Sequence, residues 1–373
     1  MTATNADWIQ HPGAYIREEM EERGWLQRDL AFILGAPEQA VTMILNGKRG
    51  ISADMAKALG DAFDVAPEFF ANLQQAYGMA QARNPYSGVQ ERRRMQSVYP
   101  VREMIQRGWI VASDATMLEA QLARFFGVPD AGEIPYMAHA AKKTLYEERE
   151  IRPAQLVWLF RVRQIAQNIA ATAYSEKALR AAVTDLEGLL YSPDGVRNVP
   201  RILAECGVRL IFVEKLPGAE IDGVCFWLDS KSPVIGMSLT RDRIDNFWFV
   251  LRHEIEHILQ RHGQEQEIID VNVEAPESNV SDDERIANEA AANFCVALAK
   301  FDSFMVRKHP FYYEKDVVAF ARLLQRHPGL VIGRMRKQLN RWDYLTRHLV
   351  KVRHLVLPGA IADGWGRTVP MSL

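Results

Sequence analysis

The sequence predicts an α+β protein that is mostly α, and three observations carry that prediction. Short, well-capped helical segments fill the N-terminal region up to about residue 78. After Gly207 the apolar period changes from helical to extended, and the extended runs lead into a strongly apolar helix containing His253-Glu254-Ile255-Glu256-His257.

The N-terminal elements follow from their punctuation. Pro12 can open a first helix that continues through Tyr15, Ile16 and Met20 to Gly24, and Leu26 to Leu34 forms a second, closed by Gly35. Pro37 opens a third through Val41, Ile44 and Leu45, stopped by Asn46-Gly47; a fourth runs from Ser52 through Leu59 to Phe63, and a fifth begins near Pro67. Two short helices separated by Gly35-Ala36 describe a helix-turn-helix module whose third helix is the recognition helix.

From 79 to 195 amphipathic stretches near 113–126, 153–173 and 175–191 read as a helical connector with no chemical constellation of its own. The runs 208–213, 223–228 and 233–239 then read as strands separated by Pro/Gly and Asp-Ser-Lys-Ser turns. The third of these is the candidate edge strand for holding an extended peptide by strand addition.

The residues 253–257 match HExxH. His253 and His257 stand one helical turn apart, so both imidazoles leave the same face and can share one Zn²⁺, with Glu254 beside them to activate water. The helix is apolar at Phe247, Trp248, Val250, Leu251, Ile255, Ile258 and Leu259, and burying His-Glu-Glu-His there needs a compensating charge. A zinc peptidase keeps three protein ligands and an open fourth position. Glu289, in the alanine-rich run Asn288-Glu289-Ala290-Ala291-Ala292-Asn293, is the expected third ligand, because small neighbours let two helices approach. Glu284 on the same predicted helix is its nearest rival but belongs to the charged run 282–285, and Glu277 lies in the preceding loop. A Glu from a second helix makes the arrangement that of a gluzincin. Candidates to stabilise an oxyanion are His262, Tyr312, Tyr313, His327 and Arg334, none of them favoured; a turn role ahead of Pro328-Gly329 is the simpler reading of His327.

At 373 residues, 48% hydrophobic and 25% charged, the composition is that of an ordinary multi-domain globular chain. No apolar run approaches the length of a membrane span and the N-terminus lacks the features of a signal peptide, so the expectation is a cytoplasmic protein without membrane partners. Cys206, Cys225 and Cys295 are widely spaced in apolar sequence and are expected to be reduced and buried. The net charge of −2 is unevenly spread. Residues 11–77 carry six Lys/Arg against ten Asp/Glu, residues 263–289 one against nine, and residues 305–354 twelve against three. The basic segment is read as an internal partner of the acidic one in preference to a nucleic-acid surface.

Two resemblances add to these readings. Leu26-Gln27-Arg28-Asp29-Leu30-Ala31 and Ile44-Leu45-Asn46-Gly47-Lys48-Arg49-Gly50-Ile51-Ser52 resemble the Xre-like helix-turn-helix of HigA-type antitoxins and related phage repressors. The resemblance implies that Gln27, Glu38, Gln39 and Thr42 approach base edges or adjacent phosphates, and that Asn46, Lys48 and Arg49 approach the backbone of operator DNA. The acidic balance of this module departs from the pattern and calls for dimerisation, or for further basic residues such as Arg92-Arg93-Arg94.

Residues 196–338 resemble the ImmA/IrrE family of zinc metallopeptidases, through HExxH and through Ala204-Glu205-Cys206-Gly207-Val208, Leu216-Pro217-Gly218, Asp245-Asn246-Phe247-Trp248-Phe249 and His327-Pro328-Gly329-Leu330. Glu256 stands where that family usually has Gly, and Glu289-Ala290-Ala291 replaces its Glu-Ala-Asn or Glu-Ala-Asp. The expected organisation is a helix-turn-helix domain (1–78), a helical connector (79–195), a zincin-like peptidase domain with a small β-sheet (196–345) and a C-terminal tail (346–373). The implied function is a homodimeric DNA-binding regulator whose zinc peptidase cleaves a repressor, antitoxin or other partner in a stress, mobile-element or toxin–antitoxin response. The alternative is a non-catalytic antitoxin or repressor whose peptidase-like half binds a toxin or senses a signal.

Overall fold

Turn chemistry sets the helix ends between Pro12 and Gln81. In the computed structural model, which describes residues 9–82, 88–111, 115–129, 139–141, 152–262, 267–270 and 281–369, five helices occupy this stretch. They are α1 (Pro12–Arg23), α2 (Gln27–Leu34), α3 (Glu38–Leu45), α4 (Ala53–Phe63) and α5 (Pro67–Gln81). Gly24 and Gly35 end α1 and α2 in the left-handed conformation, with φ of 67° and 59°, where a Cβ would be strained. Ser52 Oγ accepts from the Met55 amide at 3.2 Å and caps α4. Ile16, Leu30, Val41, Ile44, Leu59, Phe63 and Phe70 fill one small core. This is the first of two compact units, Met1–Ser87; the second is Gly88–Leu373.

In the second unit the helices α6 (Val89–Val98), α7 (Val101–Gln106) and α8 (Ala115–Phe126) precede β1 (His139–Ala141), α9 (Pro153–Gln167), α10 (Glu176–Gly188) and α11 (Val199–Glu205). Strands β2 (Arg209–Val213), β3 (Gly223–Trp227) and β4 (Pro233–Met237) lead into α12 (Ile244–Leu259). β5 (Glu267–Asp270), α13 (Asp282–Cys295), α14 (Leu298–Lys308), α15 (Glu314–Leu323), α16 (Pro328–Leu339), α17 (Arg353–Val356) and β6 (Ile361–Asp363) complete it. The strands form one mixed sheet in the order β1-β5-β3-β4-β2-β6.

Alternation along the strands sends side chains to two cores. Leu210, Phe212, Cys225, Trp227, Ile235 and Met237 face the core that holds α12 and α16, whereas Ile211, Val213, Val224, Phe226 and Val234 face the core built on α9. The sheet is therefore the middle of three layers, and two expectations change. The segment expected as a separate connector supplies α9, whose Val157, Trp158 and Val162 are fully buried, as one layer of the second unit. The segment expected as a tail supplies β6, paired in parallel with β2. Asp363 on β6 is buried and bonds Arg161 Nε of α9 at 2.5 Å and Trp109 Nε1 at 3.1 Å, which fastens the C-terminal region to that layer.

β4 is not an edge strand either. It pairs antiparallel with β3 and in parallel with β2, and all five of its residues are buried, as a continuous apolar run Pro-Val-Ile-Gly-Met favours. Among the described residues no helix is long and apolar enough to cross a membrane. The three cysteines are buried, and burial pushes the Cys295 thiol up to about 12.

Candidate metal centre and nucleic-acid interface

α12 carries its chemistry on a buried face. His253, Glu254 and His257 have no solvent exposure, and α13 packs along the same side of the helix. His253 Nε2 and His257 Nε2 lie 3.0 Å apart. Glu284 of α13 places Oε2 3.4 Å from the first and Oε1 3.5 Å from the second. These three residues form a buried group with donor atoms within 4.8 Å of one another.

Glu284, not Glu289, thus completes the cluster. The buried positions of α13 are Glu284, Ala287, Ala291, Phe294 and Cys295, a helical stripe that begins at Glu284 and continues with two alanines toward α12. Five residues on, Glu289 is rotated about 140° off that stripe and is exposed. The small residues that permit close helix packing are Ala287 and Ala291, which follow Glu284 in register. Ser281 caps α13 by accepting from the Glu284 amide at 3.4 Å, and the carboxylate of Glu284 turns inward to the histidines. A cap residue followed three positions later by Glu was the available signal for this turn.

Glu256, the departure from the resembled motif, is drawn aside. Arg252 Nη2 donates to it at 2.6 Å and Gln260 Nε2 at 2.6 Å. Burial alone would raise its pKa, but those hydrogen bonds and the Arg252 charge hold it below the ordinary carboxylate range. Glu254 lies against the start of β3, where Gly223 makes room: a Cβ at that position would fall 2.0 Å from Glu254 Oε1.

The donor set suits zinc. Two imidazole nitrogens and one carboxylate are a common catalytic ligand set, and neighbouring donors around a tetrahedral zinc stand roughly 3.3 Å apart. The separations here are 3.0, 3.4 and 3.5 Å. Asn246 and Phe249 on α12 and Asn288 and Glu289 on α13 line a cavity of about 660 Å³ that reaches Arg334 and Lys337 on α16; His253, Glu254, His257 and Glu284 are not among its lining residues. Phe249, one turn before His253, stacks on its ring at 6.4 Å between centroids.

Most candidates for oxyanion stabilisation are otherwise engaged. His327 Nδ1 accepts from the Gly329 amide at 3.1 Å and caps α16, and burial, with His348 nearby, depresses its pKa to about 4. Arg334 Nη1 donates to the Ala292 and Val296 carbonyls at the C-terminal end of α13. Arg326 likewise binds the Phe294 and Cys295 carbonyls. These basic side chains of the 305–354 segment serve the negative end of a helix; of the nine acidic residues of the 263–289 segment, Glu265, Glu274 and Glu277 lie outside the described residues. The Tyr312 hydroxyl donates to the Met305 carbonyl, and Tyr313 is exposed. His262 sits beside His257.

In the first unit Gln27 opens α2, and Glu38, Gln39 and Thr42 lie on α3. Thr42 Oγ1 donates to Gln27 Oε1 at 2.8 Å, so the turn between the two helices brings these residues onto one surface. Gln27, Glu38 and Gln39 are exposed there, as are Asn46, Lys48 and Arg49 just after α3.

Comparisons with known proteins agree with this unit. A helix-turn-helix family model matches residues 16–70, and the N-terminal unit is a helix-turn-helix domain. Virulence-associated protein A' of Dichelobacter nodosus is 40% identical over 72 residues, 19% of this chain and 63% of that protein, so the chain spans less than two thirds of that relative's length. The antitoxin HigA of Pseudomonas aeruginosa, solved with the higBA promoter, is 40% identical over 19% of this chain and 79% of its own, with a TM-score of 0.19. A second Pseudomonas aeruginosa protein, solved with its operator DNA, is 36% identical over 24% of this chain and 97% of its own, with a TM-score of 0.21.

Proposed function

We propose that this chain is a DNA-binding regulator of the HigA kind whose second unit is a zinc-dependent endopeptidase of the ImmA/IrrE type. The observation that supports the peptidase half most directly is the convergence of His253, His257 and Glu284 in a buried cluster with Glu254 beside it. In this reading the first three residues hold the ion. When bound, zinc supplies a Lewis acid that polarises a carbonyl and lowers the pKa of water. Glu254 then takes the proton from the attacking water and delivers it to the leaving amine nitrogen of the substrate protein. The cavity between α12, α13 and α16, which meets the cluster only through Phe249 stacked on His253, offers both apolar and charged groups to a bound segment.

The DNA-binding half rests on the match of residues 16–70 and on relatives solved with promoter or operator DNA. A dimer on an inverted repeat would supply the phosphate contacts that an acidic monomer lacks. The deciding experiment measures zinc content and affinity for Glu284→Ala, Glu289→Ala and Glu254→Gln. Loss of metal in the first alone is expected, with Glu254→Gln retaining zinc and losing cleavage of a partner encoded beside it. Zinc loss in Glu289→Ala with retention in Glu284→Ala would overturn the ligand assignment. Full biological activity in Glu254→Gln would favour the non-catalytic antitoxin reading.

A further inference from the structure

The last residue to join the cluster comes from beyond the helix. α12 ends at Leu259, and Arg261 takes the left-handed conformation with φ of 57°, which costs a non-glycine residue about 1 kcal/mol. This turn folds the chain back so that the His262 amide donates to the His257 carbonyl at 2.8 Å, and Trp227 Nε1 at the end of β3 donates to the His262 carbonyl at 2.9 Å. Two hydrogen bonds to its backbone, one from the Trp227 indole, therefore fix His262 beside His257. Its Nδ1 lies 3.0 Å from His257 Nδ1, and its Nε2 lies 3.3 Å from Asp283 Oδ1 on the first turn of α13.

These contacts admit one consistent set of tautomers. If His257 offers the Nε2 lone pair to an ion, its proton sits on Nδ1, which must donate to His262 Nδ1. His262 then carries its proton on Nε2 and donates it to the Asp283 carboxylate. Consecutive residues of α13 thus act at the two ends of the arrangement, Glu284 on the inner cluster and Asp283 on the outer histidine. With both ring nitrogens engaged, His262 does not serve as an oxyanion donor.

We infer that His262 and Asp283 are positioning residues that fix the tautomer and orientation of His257 and so set the affinity of the cluster for a divalent ion. This rests on the reading that His253, His257 and Glu284 hold zinc. Groups of this kind behind a metal-bound histidine typically change metal affinity by about 10–100-fold.

The test titrates Zn²⁺ against a chromophoric chelator in the full chain and records the visible spectrum of the Co²⁺-loaded protein. His262→Phe removes the acceptor and is expected to weaken zinc binding about 10–100-fold and to change the cobalt spectrum. His262→Gln restores an acceptor oxygen and should return both close to the parent. Asp283 is largely exposed, so Asp283→Ala leaves the fold intact and should weaken binding in the same direction even where His262→Phe does not fold. A parent chain that binds no zinc removes the underlying reading and this inference with it. A parent that binds zinc, with Asp283→Ala and His262→Gln behaving respectively like the parent and like His262→Phe, would leave the metal site standing and overturn the relay.

Discussion

Gly223→Ala tests the placement of Glu254 without touching a ligand. The added Cβ would stand 2.0 Å from Glu254 Oε1, 2.9 Å from its Cδ and 3.0 Å from Val250 Cγ1, so a displacement of more than about 1 Å is needed to restore ordinary contact. β3 has little room to retreat, because it is hydrogen-bonded between β4 and β5, and Val250 is buried in the core of α12. The Glu254 side chain is the part that must yield. Overpacking of this kind costs about 1–3 kcal/mol, and a misplacement of about 1 Å at a reacting group costs roughly 10²-fold in rate. Urea unfolding should therefore show a loss of about 1–3 kcal/mol, zinc affinity should stay within a few-fold of the parent, and cleavage should fall by about two orders of magnitude. Unchanged stability together with unchanged cleavage would refute the close packing of Glu254 on β3. Loss of zinc would instead place Glu254 among the groups that hold the ion.

Two further expectations concern other parts of the chain. His327 caps α16 as a neutral acceptor with its pKa depressed to about 4, so the folded state resists protonation; its contribution is complete above the unfolded value near 6.5 and fades as pH falls toward 4. Discounted for its partial exposure, this amounts to about 1 kcal/mol at pH 5, and His327→Asn, a cap that does not titrate, should lose that much less stability than the parent between pH 7.5 and pH 5 in urea melts; equal losses would refute the capping account. On inverted-repeat operator DNA, Gln39→Ala should cost about 1–3 kcal/mol of discrimination between operator and unrelated DNA, whereas Lys48→Ala should weaken both alike and reduce the salt dependence. Equal, weak binding of the parent to both DNAs in a mobility-shift titration would count against the regulator reading.

What the sequence made legible was local. Caps, a helical period and a shift to extended runs describe α1 to α5, β2 to β4 and α12, because each depends on residues only a few positions apart. What it left illegible depended on partners distant in the chain. β4 read as an edge because nothing within 233–239 says that β2 will lie on its other side, although its unbroken apolar run is that of a strand covered on both faces. The stretch at 153–173 read as a connector, although fully buried Val157, Trp158 and Val162 make α9 a layer of the second unit.

The third member of the His253–His257–Glu284 cluster is the sharpest case. Asp282-Asp283-Glu284-Arg285 looks like a solvated charge run when judged by composition, and composition favours Glu289 among its alanines. Periodicity gives the opposite answer, since Ala287 and Ala291 fall three and seven positions after Glu284 and share its buried face. The charged run is therefore split by the helix itself. Asp282 and Arg285 pair on the outside, Glu284 turns into the histidines, and Asp283, between the two directions, meets His262 at the rim. Four consecutive charged residues can occupy three environments because each step turns the side chain by about 100°. A charge run at the start of a capped helix is thus better divided by its phase than discounted as a whole.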